Sequence, residues 1–261
     1  MSSESRQLVH EIREDVLWIG FNRPEARNAL TFDMYDGLAS LCSGISIEDE
    51  IKSVVIYGVG GKAFAAGTEI AQFRSFKTEQ DALDYEAEII RVLDAVERCP
   101  VPTVAAICGA CTGGGAAIAA ACDIRIATTS LKYGFPIART LGNCLSAANL
   151  ALLTELMGAG RVRELLLTAR LIGAEEAKSI GLISEIFADE DGLMDGAGEL
   201  VTILASMAPL TIFATKEAMR RNRIARQVED SDLITKCYLS DDFRNGMEAF
   251  LSKKKPDWTG K

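Results

Sequence analysis

The sequence predicts an α/β fold with parallel strands, followed by a helical region at the carboxyl end. A buried strand, a glycine-rich or small-residue turn and a helix recur in that order, which is typical of parallel sheets. Beyond about residue 200 only helical patterns remain. The 261 residues, 48% of them hydrophobic, suffice for one large domain with a small appendage. We place these at residues 1–200 and 201–261.

The first elements follow from apolar runs and their breaks. Residues 16–21 and 53–57 are continuous apolar runs that predict buried strands, and the first ends before Pro24, which cannot donate a strand hydrogen bond. Thr31 is a suitable N-cap for the helix predicted after it. Apolar residues at helical spacing then predict a long helix over residues 79–98.

The middle of the chain repeats the pattern with smaller residues. Residues 103–107 predict a strand that runs into the turn Gly113-Gly114-Gly115 and then into a helix of small residues over 116–121. A third strand of this kind is predicted over 123–127. Because glycine lets the backbone approach a ligand closely, the turn is a candidate binding element.

Net charge and the N-terminal residues indicate which classes of partner and which cellular compartment to expect. The formal net charge of -9 disfavours nucleic acid and anionic membranes, since binding them needs clustered Lys and Arg. The N-terminal residues lack the apolar region of a secretion signal, and no run is long enough to span a bilayer. We therefore expect a cytoplasmic protein without membrane or nucleic-acid partners.

The histidine and cysteine counts exclude several chemistries. The single histidine, His10, lies in a polar stretch where we expect surface exposure, so neither a Ser-His-Asp site nor a multi-histidine metal site is expected. The seven cysteines lie among apolar or small residues, as reduced buried thiols do. Cys108 and Cys111 form an isolated C-x-x-C pair without further ligands nearby. We predict packing there and no metal site.

Two sets of small-residue turns allow functional interpretations. The turn at residues 58–63 fits a loose dinucleotide fingerprint, but Gly67 would break the helix that must hold the pyrophosphate. A dinucleotide-dependent oxidoreductase is thus a remote alternative. The turns at residues 65–68 and 112–115 each follow a buried strand, and together they could direct two backbone N–H groups at one oxygen, as an oxyanion hole does. Tight helix–strand packing explains this pattern equally well.

Six blocks of residues form a recognisable series over nearly the whole chain. In order they are Asn22-Arg23-Pro24 with Asn28-Ala29-Leu30; residues 63–70; Gly109 and Gly113-Gly114-Gly115 through residues 122–127; Gly134-Phe135-Pro136; Ala174, Ala177 and Gly181-Leu182-Ile183; and Asp241-Asp242-Phe243 with Gly246-Met247 and Ala249-Phe250. With these blocks the chain resembles the enoyl-CoA hydratase/isomerase (crotonase) family. The resemblance implies a spiral of β-β-α units, a C-terminal helical trimerisation region, and a homotrimer or dimer of trimers.

The same resemblance implies an activity and its site. It implies a lyase or isomerase acting on an acyl-CoA or enoyl-CoA thioester, with coenzyme A as part of the substrate and no permanently bound cofactor. The thioester oxygen would lie between the N–H groups of Thr68 and Gly114, which stabilise the enolate. Further substrate-binding positions implied by the resemblance are Ala66, Glu69, Ile70, Ala71 and Lys253, the last reaching the CoA phosphates of a neighbouring subunit.

The sequence departs from the family's hydratases at two positions. The family's hydratases carry one glutamate three residues after the position of Gly114 and another directly after that of Pro136. This chain has Ala117 and Ile137 there. Neither side chain can move a proton, so we expect ordinary water addition to be weak. Glu86 on the long helix and Cys144 after Pro136 are substitute acid/base candidates. A solvated helix face and an inert packed thiol are the simpler interpretations of these two residues.

Two functions stay open beside the remote dinucleotide alternative. In the first, the chain is an enzyme that forms a thioester enolate with an unidentified acid or base. In the second, it binds CoA thioesters with little or no catalysis, which the missing glutamates favour. An activity assay separates them.

Overall fold

The computed structural model describes residues 7–261, and its strands form two sheets. The six-stranded sheet contains, in spatial order, β1 (Leu8–Arg13), β2 (Val16–Phe21), β3 (Ser53–Gly58), β5 (Thr103–Ile107), β7 (Ile124–Thr128) and β9 (Glu185–Phe187). The three-stranded sheet contains β4 (Ala63–Ala65), β6 (Ala110–Thr112) and β8 (Lys132–Gly134). Strand β1 pairs antiparallel with β2, and the other strand pairs are parallel.

The helices surround these sheets and form the carboxyl end. They are α1 (Phe32–Ser43), α2 (Glu79–Arg98), α3 (Gly114–Ala121), α4 (Ile137–Thr140), α5 (Ala147–Met157), α6 (Ala159–Thr168), α7 (Ala174–Ser179), α8 (Glu190–Ala205), α9 (Pro209–Ile224), α10 (Ser231–Tyr238) and α11 (Asp241–Leu251). Short 3₁₀ segments lie at Pro24–Ala26 and Ile70–Ser75.

A repeating unit organises the chain. A strand of the larger sheet, a strand of the smaller sheet and a helix follow one another as β3-β4-α2, β5-β6-α3 and β7-β8-α4. This order confirms the predicted β-β-α units and the mixed α/β fold. Helices α8 to α11 follow the last strand, so the predicted helical carboxyl end is confirmed.

The larger sheet is buried on both faces. Ile19, Val54 and Ala105 face a core that also contains α1, α2 and α3, whereas Trp18 and Val55 face a second core closed by α8. A sheet covered on both faces has continuously apolar strands. This explains why the strand sequences show unbroken apolar runs rather than alternation.

Strand β1 and the start of α3 differ from the sequence prediction. Strand β1 was not expected because half of its residues are polar and the apolar ones neither form a run nor alternate. It lies at the sheet edge, paired on one side with β2, so its polar side chains stay in solvent. His10 is exposed in this strand, as predicted. Helix α3 begins at Gly114, two residues earlier than predicted, because Gly113 serves as its N-cap with a positive φ of 53°.

The cysteines agree with the packing interpretation. All seven are free, and five are buried while Cys144 and Cys237 are partly buried. The Cys108 thiol donates to the Gly61 carbonyl at 2.8 Å, and Cys111 lies in the core. Within residues 7–261 no group of three or more His, Cys, Asp or Glu could hold a metal ion.

Over residues 7–261 no single helix is long and apolar enough to cross a bilayer, although α8 and α9 taken together, with a 104° bend between them, meet the length and composition required.

Candidate functional site

A cavity lies where the carboxyl ends of β4 and β6 face helices α2 and α10. Its lining residues include two groups. The small-residue wall consists of Ala66, Gly67, Thr68, Gly113, Gly114 and Ala117. The aromatic wall consists of Phe73, Tyr85, Glu86, Tyr238 and Phe250.

The loop that carries Thr68 is held by the Asn28 block. The buried Asn28 amide donates to the Ala63 carbonyl at 2.8 Å, and its Oδ1 accepts the Arg23 N–H at 2.8 Å. The Leu30 N–H donates to the Gly67 carbonyl at 2.8 Å. These bonds fix the chain on both sides of Thr68 while leaving the Thr68 N–H without an acceptor among residues 7–261.

The second loop offers a matching N–H group at a helix start. Gly114 is the first residue of α3, where a helix has no internal acceptor for its N–H groups and carries partial positive charge. No other described residue accepts the Gly114 N–H. A Cβ at Gly114 would lie 3.2 Å from Thr68 Oγ1 and 1.9 Å from the Tyr35 hydroxyl, so the loops touch and only glycine fits. Two unpaired N–H donors thus border one cavity.

The two positions that hold glutamates in the family's hydratases also border this cavity. Ala117 lies one turn along α3, and Ile137 begins α4. Both are apolar, so this side of the cavity has no ionisable side chain at either position.

Glu86 supplies a carboxyl group from helix α2. The predicted solvated helix face is wrong for this residue: Glu86 is 4% exposed and lines the cavity. Burial raises the pKa of Glu86 to about 7, against the effect of the Tyr238 hydroxyl, which donates to Oε1 at 2.6 Å. Oε2 is buried and has no hydrogen-bond partner in the described chain. A carboxyl with this pKa can accept or release a proton near neutral pH.

Tyr238 orients the Glu86 carboxyl, and Asn143 in turn orients the Tyr238 hydroxyl. The Asn143 amide donates to the Tyr238 hydroxyl at 3.2 Å, and Asn143 Oδ1 is buried with no partner among the described residues. Tyr238 comes from α10, so the helical carboxyl end contributes directly to the cavity.

The thiol of Cys144 borders the cavity but has the properties of a neutral group. It donates a weak hydrogen bond of 3.8 Å to the Leu233 carbonyl. Its pKa is raised, first by the hydrogen bond with Cys237 and then by burial. A thiolate nucleophile at this position is therefore disfavoured.

The other residues predicted for the site fall into two groups. Ile70 lines the cavity with Ala66, whereas Glu69, Ala71 and Lys253 do not. Glu69 Oε2 instead pairs with Arg23 at 3.1 Å. Lys253 is exposed just beyond α11.

The glycine turn after β3 does not have the form of a dinucleotide site. It leads into strand β4 and not into a helix, so it lacks the helix start that would hold a pyrophosphate.

Tyr35 and Tyr238 are site residues that the sequence prediction missed. Nothing in the local pattern of either residue marks it, because tertiary packing brings Tyr238 to the cavity and Tyr35 to Thr68 behind it. Glu86 did carry a signal: it lies four residues after Ala82 and three before Ile89, both buried, so helical spacing places it on the buried stripe.

Comparison with known proteins agrees with this architecture. The family model for enoyl-CoA hydratase/isomerase matches residues 11–261. The crotonyl-CoA hydratase of Syntrophomonas wolfei is 31% identical over 267 residues, covering 100% of both chains, and the short-chain-enoyl-CoA hydratase of Clostridium acetobutylicum is 30% identical over 258 residues, covering 97% of both. The solved structure of methylmalonyl-CoA decarboxylase in complex with 2-nitronate-propionyl-CoA has a TM-score of 0.88 and 25% identity, covering 98% of this chain and 99% of that one. The chain belongs to the enoyl-CoA hydratase/isomerase family.

Proposed function

We propose that this protein is a lyase or isomerase that acts on an acyl-CoA or enoyl-CoA thioester through an enolate. The N–H groups of Thr68 and Gly114 bind the thioester oxygen, and Glu86 moves the proton at the carbon chain. Coenzyme A enters as part of the substrate, and no permanently bound cofactor is required.

One observation carries this proposal: two unpaired backbone N–H donors and one buried carboxyl with a raised pKa border the same cavity. Charge that develops on the oxygen during enolate formation is stabilised by such fixed donors, each worth about 3 kcal/mol. The names of the relatives, two hydratases and a decarboxylase of CoA thioesters, support the substrate class.

Glu86 acts as the general base in this mechanism. Above about pH 7 its carboxylate can remove the proton from the carbon beside the thioester. The C–H electron pair then forms the carbon–carbon double bond, and the carbonyl electron pair moves to the oxygen held by the two N–H groups. The same carboxyl returns the proton at another carbon or to a leaving group.

Exchange of the α-proton tests the proposal without knowledge of the natural acyl group. Butyryl-CoA incubated with the protein in D₂O should gain deuterium at the carbon beside the thioester, because the enolate forms reversibly. Glu86→Gln keeps the size of the side chain and should lower the exchange rate by a factor of about 10² to 10⁴, the range for general base catalysis.

Glu88→Gln is the matched control for this experiment. Glu88 lies two residues further along α2, where it pairs with the exposed Arg91 outside the cavity, so its amide variant should exchange at the wild-type rate. Tight binding of butyryl-CoA without any exchange would instead support the second candidate, a CoA-thioester-binding protein with little catalysis. No binding of butyryl-CoA at all would refute both.

The outer part of the ligand and the assembly belong to the same proposal. Glu69, Ala71 and Lys253 do not line the cavity, and we propose that they contact the CoA moiety outside it. Large apolar side chains are exposed along the carboxyl-terminal helices, including Ile203, Met207, Leu210, Phe213 and Met219. Such exposure supports a homotrimer or dimer of trimers. Sedimentation velocity should give a mass of three or six chains, and a monomer would contradict it.

A further inference from the structure

A line of three hydroxyl groups runs from the core to the cavity. The Tyr35 and Thr68 hydroxyl oxygens are 2.8 Å apart, and Thr68 Oγ1 is 3.0 Å from the Tyr85 hydroxyl. Tyr35 is 1% exposed, whereas Tyr85 borders the cavity. The line therefore has one end in the core and one end where a ligand would bind.

The direction of the Tyr35–Thr68 hydrogen bond follows from the need of the buried Tyr35 proton for an acceptor. In the described chain the Tyr35 hydroxyl has Thr68 as its one hydrogen-bond partner, and a buried O–H left without an acceptor costs about 1–3 kcal/mol. Tyr35 must therefore donate to Thr68. The Thr68–Tyr85 bond can then form in either direction, and a ligand oxygen beside Tyr85 favours the direction in which Thr68 donates. With that bond made, the Tyr85 proton is free to be donated elsewhere.

The ring of Tyr85 is held so that this donation has a fixed origin. Phe73 contacts it edge to face with ring centroids 4.9 Å apart, and Phe76 and Phe32 lie against it at 5.8 Å and 6.0 Å. The hydroxyl lies beside Thr68, whose N–H is one of the two unpaired donors. A donor that is already oriented costs no reorganisation during a reaction.

We propose that Tyr85 donates its O–H to the thioester oxygen, as a third hydrogen-bond donor beside the N–H groups of Thr68 and Gly114. This inference rests on the proposed function. The Tyr85 O–H bond stays intact: Glu86 takes the carbon-bound proton, the released electron pair forms the carbon–carbon double bond, and the negative charge reaches the oxygen that Tyr85 contacts. Donation along the line from Tyr35 polarises the last O–H.

The infrared stretching frequency of the bound carbonyl tests this contact. Butyryl-CoA labelled with ¹³C at the thioester carbon should show a lowered carbonyl frequency when bound to the wild type. Tyr85→Phe keeps the ring and its aromatic contacts, and should move the frequency part of the way back toward the value in water. The rate of α-proton exchange at saturation should fall on the order of 10²-fold, the typical effect of removing one such donor, with little change in the half-saturating concentration.

Two further variants separate hydrogen-bond donation from a packing effect. Tyr35→Phe removes the head of the line and leaves Tyr85 in place, so it should shift the frequency in the same direction by a smaller amount. Tyr57→Phe is the control, since Tyr57 lies on strand β3 outside the cavity and should leave both readings at wild-type values.

The outcomes distinguish this inference from the function on which it rests. A Tyr85→Phe protein with the wild-type frequency and exchange rate would overturn the role of Tyr85 alone. A wild-type protein that binds butyryl-CoA without lowering its carbonyl frequency would overturn the proposed oxyanion hole itself.

Discussion

In the proposed mechanism, the two walls of the cavity provide charge stabilisation and proton transfer by different means. The small-residue wall presents backbone N–H groups at Thr68 and Gly114 and has no ionisable side chain. The aromatic wall presents Glu86, which burial brings to a pKa of about 7, and the hydroxyl of Tyr238 that orients it. One wall keeps its polarity at every pH, whereas the other changes charge near neutrality.

Under this proposal, the fold keeps its oxyanion donors when the two glutamates are absent, and the ionisable group comes from elsewhere. The oxyanion donors belong to the backbone, so they depend on glycines and hydrogen-bonded turns rather than on side-chain identity. The ionisable group can then come from another element, provided that burial adjusts its pKa. In this chain Ala117 and Ile137 leave one side apolar, and α2 supplies a carboxyl from the other.

After Glu86→Gln, the largest effect on the exchange rate should come from removing a backbone donor. Gly114→Pro eliminates one N–H at the first position of α3, where proline is compatible with the helix. We expect thioester exchange to fall by about 10² to 10³ and the carbonyl shift to shrink, as for loss of one oxyanion donor. The measurement is the exchange rate of butyryl-CoA together with its bound infrared spectrum.

The steric effect of this substitution requires its own control. Any Cβ at residue 114 would meet the Tyr35 hydroxyl at 1.9 Å, so both Gly114→Pro and Gly114→Ala are made in the Tyr35→Phe background. Gly114→Ala adds the Cβ and keeps the N–H, so it should retain most of the activity. Equal losses in the two variants would mean that the Gly114 N–H has no role of its own.

Glu86→Gln, which removes the ionisable group of the aromatic wall, should have an intermediate effect, measured on stability. The pKa of Glu86 is raised from its ordinary 4.5 to about 7, so the folded state holds the proton more tightly than the unfolded state. Wild-type stability should therefore decline as the pH rises from about 4.5 to 7 because of this group. Glu86→Gln should be more stable than the wild type by up to roughly 3 kcal/mol at pH 8, and the two should converge near pH 4.

Urea unfolding at both pH values measures this difference. A variant that is less stable than the wild type at pH 8 would show that the carboxylate, and not its neutral form, is preferred in the fold. Comparison with Glu88→Gln corrects for the general effect of removing one negative charge, since Glu88 lies near the surface and pairs with Arg91.

The smallest effect should come from Tyr238→Phe. The Tyr238 hydroxyl stabilises the charged form of Glu86 and so lowers the pKa of that carboxyl against the effect of burial. Its removal should shift the rising limb of the exchange rate to higher pH, with the plateau at high pH little changed. If the rise of the exchange rate stays at the same pH while its high-pH plateau falls, Tyr238 has a packing role instead.

The fold was largely predictable because its signals are local or repeated. The apolar run at residues 16–21, the Thr31 cap and the long helix over residues 79–98 all have the predicted form. These elements depend on hydrophobic spacing and capping, which neighbouring residues determine. Strand β1 was missed because an edge strand with polar residues carries no such pattern.

The site was predictable only in part, and for a physical reason. The glycine turns mark the proposed oxyanion donors because a close backbone approach demands glycine at fixed positions. The direction in which Glu86 points depends instead on how α2 packs against α10, and Tyr238 follows Glu86 by 152 residues. Helical spacing beside Ala82 and Ile89 indicated burial of Glu86, whereas its partners required the tertiary structure.

The most direct measurement is a crystal structure with acetoacetyl-CoA bound in the cavity. We expect the thioester oxygen within about 3.2 Å of both the Thr68 and Gly114 nitrogens, the ordinary limit for such bonds. The carbon beside the thioester should face Glu86 Oε2. A thioester oxygen that contacts neither nitrogen would contradict the proposed role of the small-residue wall. An acyl group separated from Glu86 by the Tyr85 ring would contradict the proposed role of Glu86 as the base.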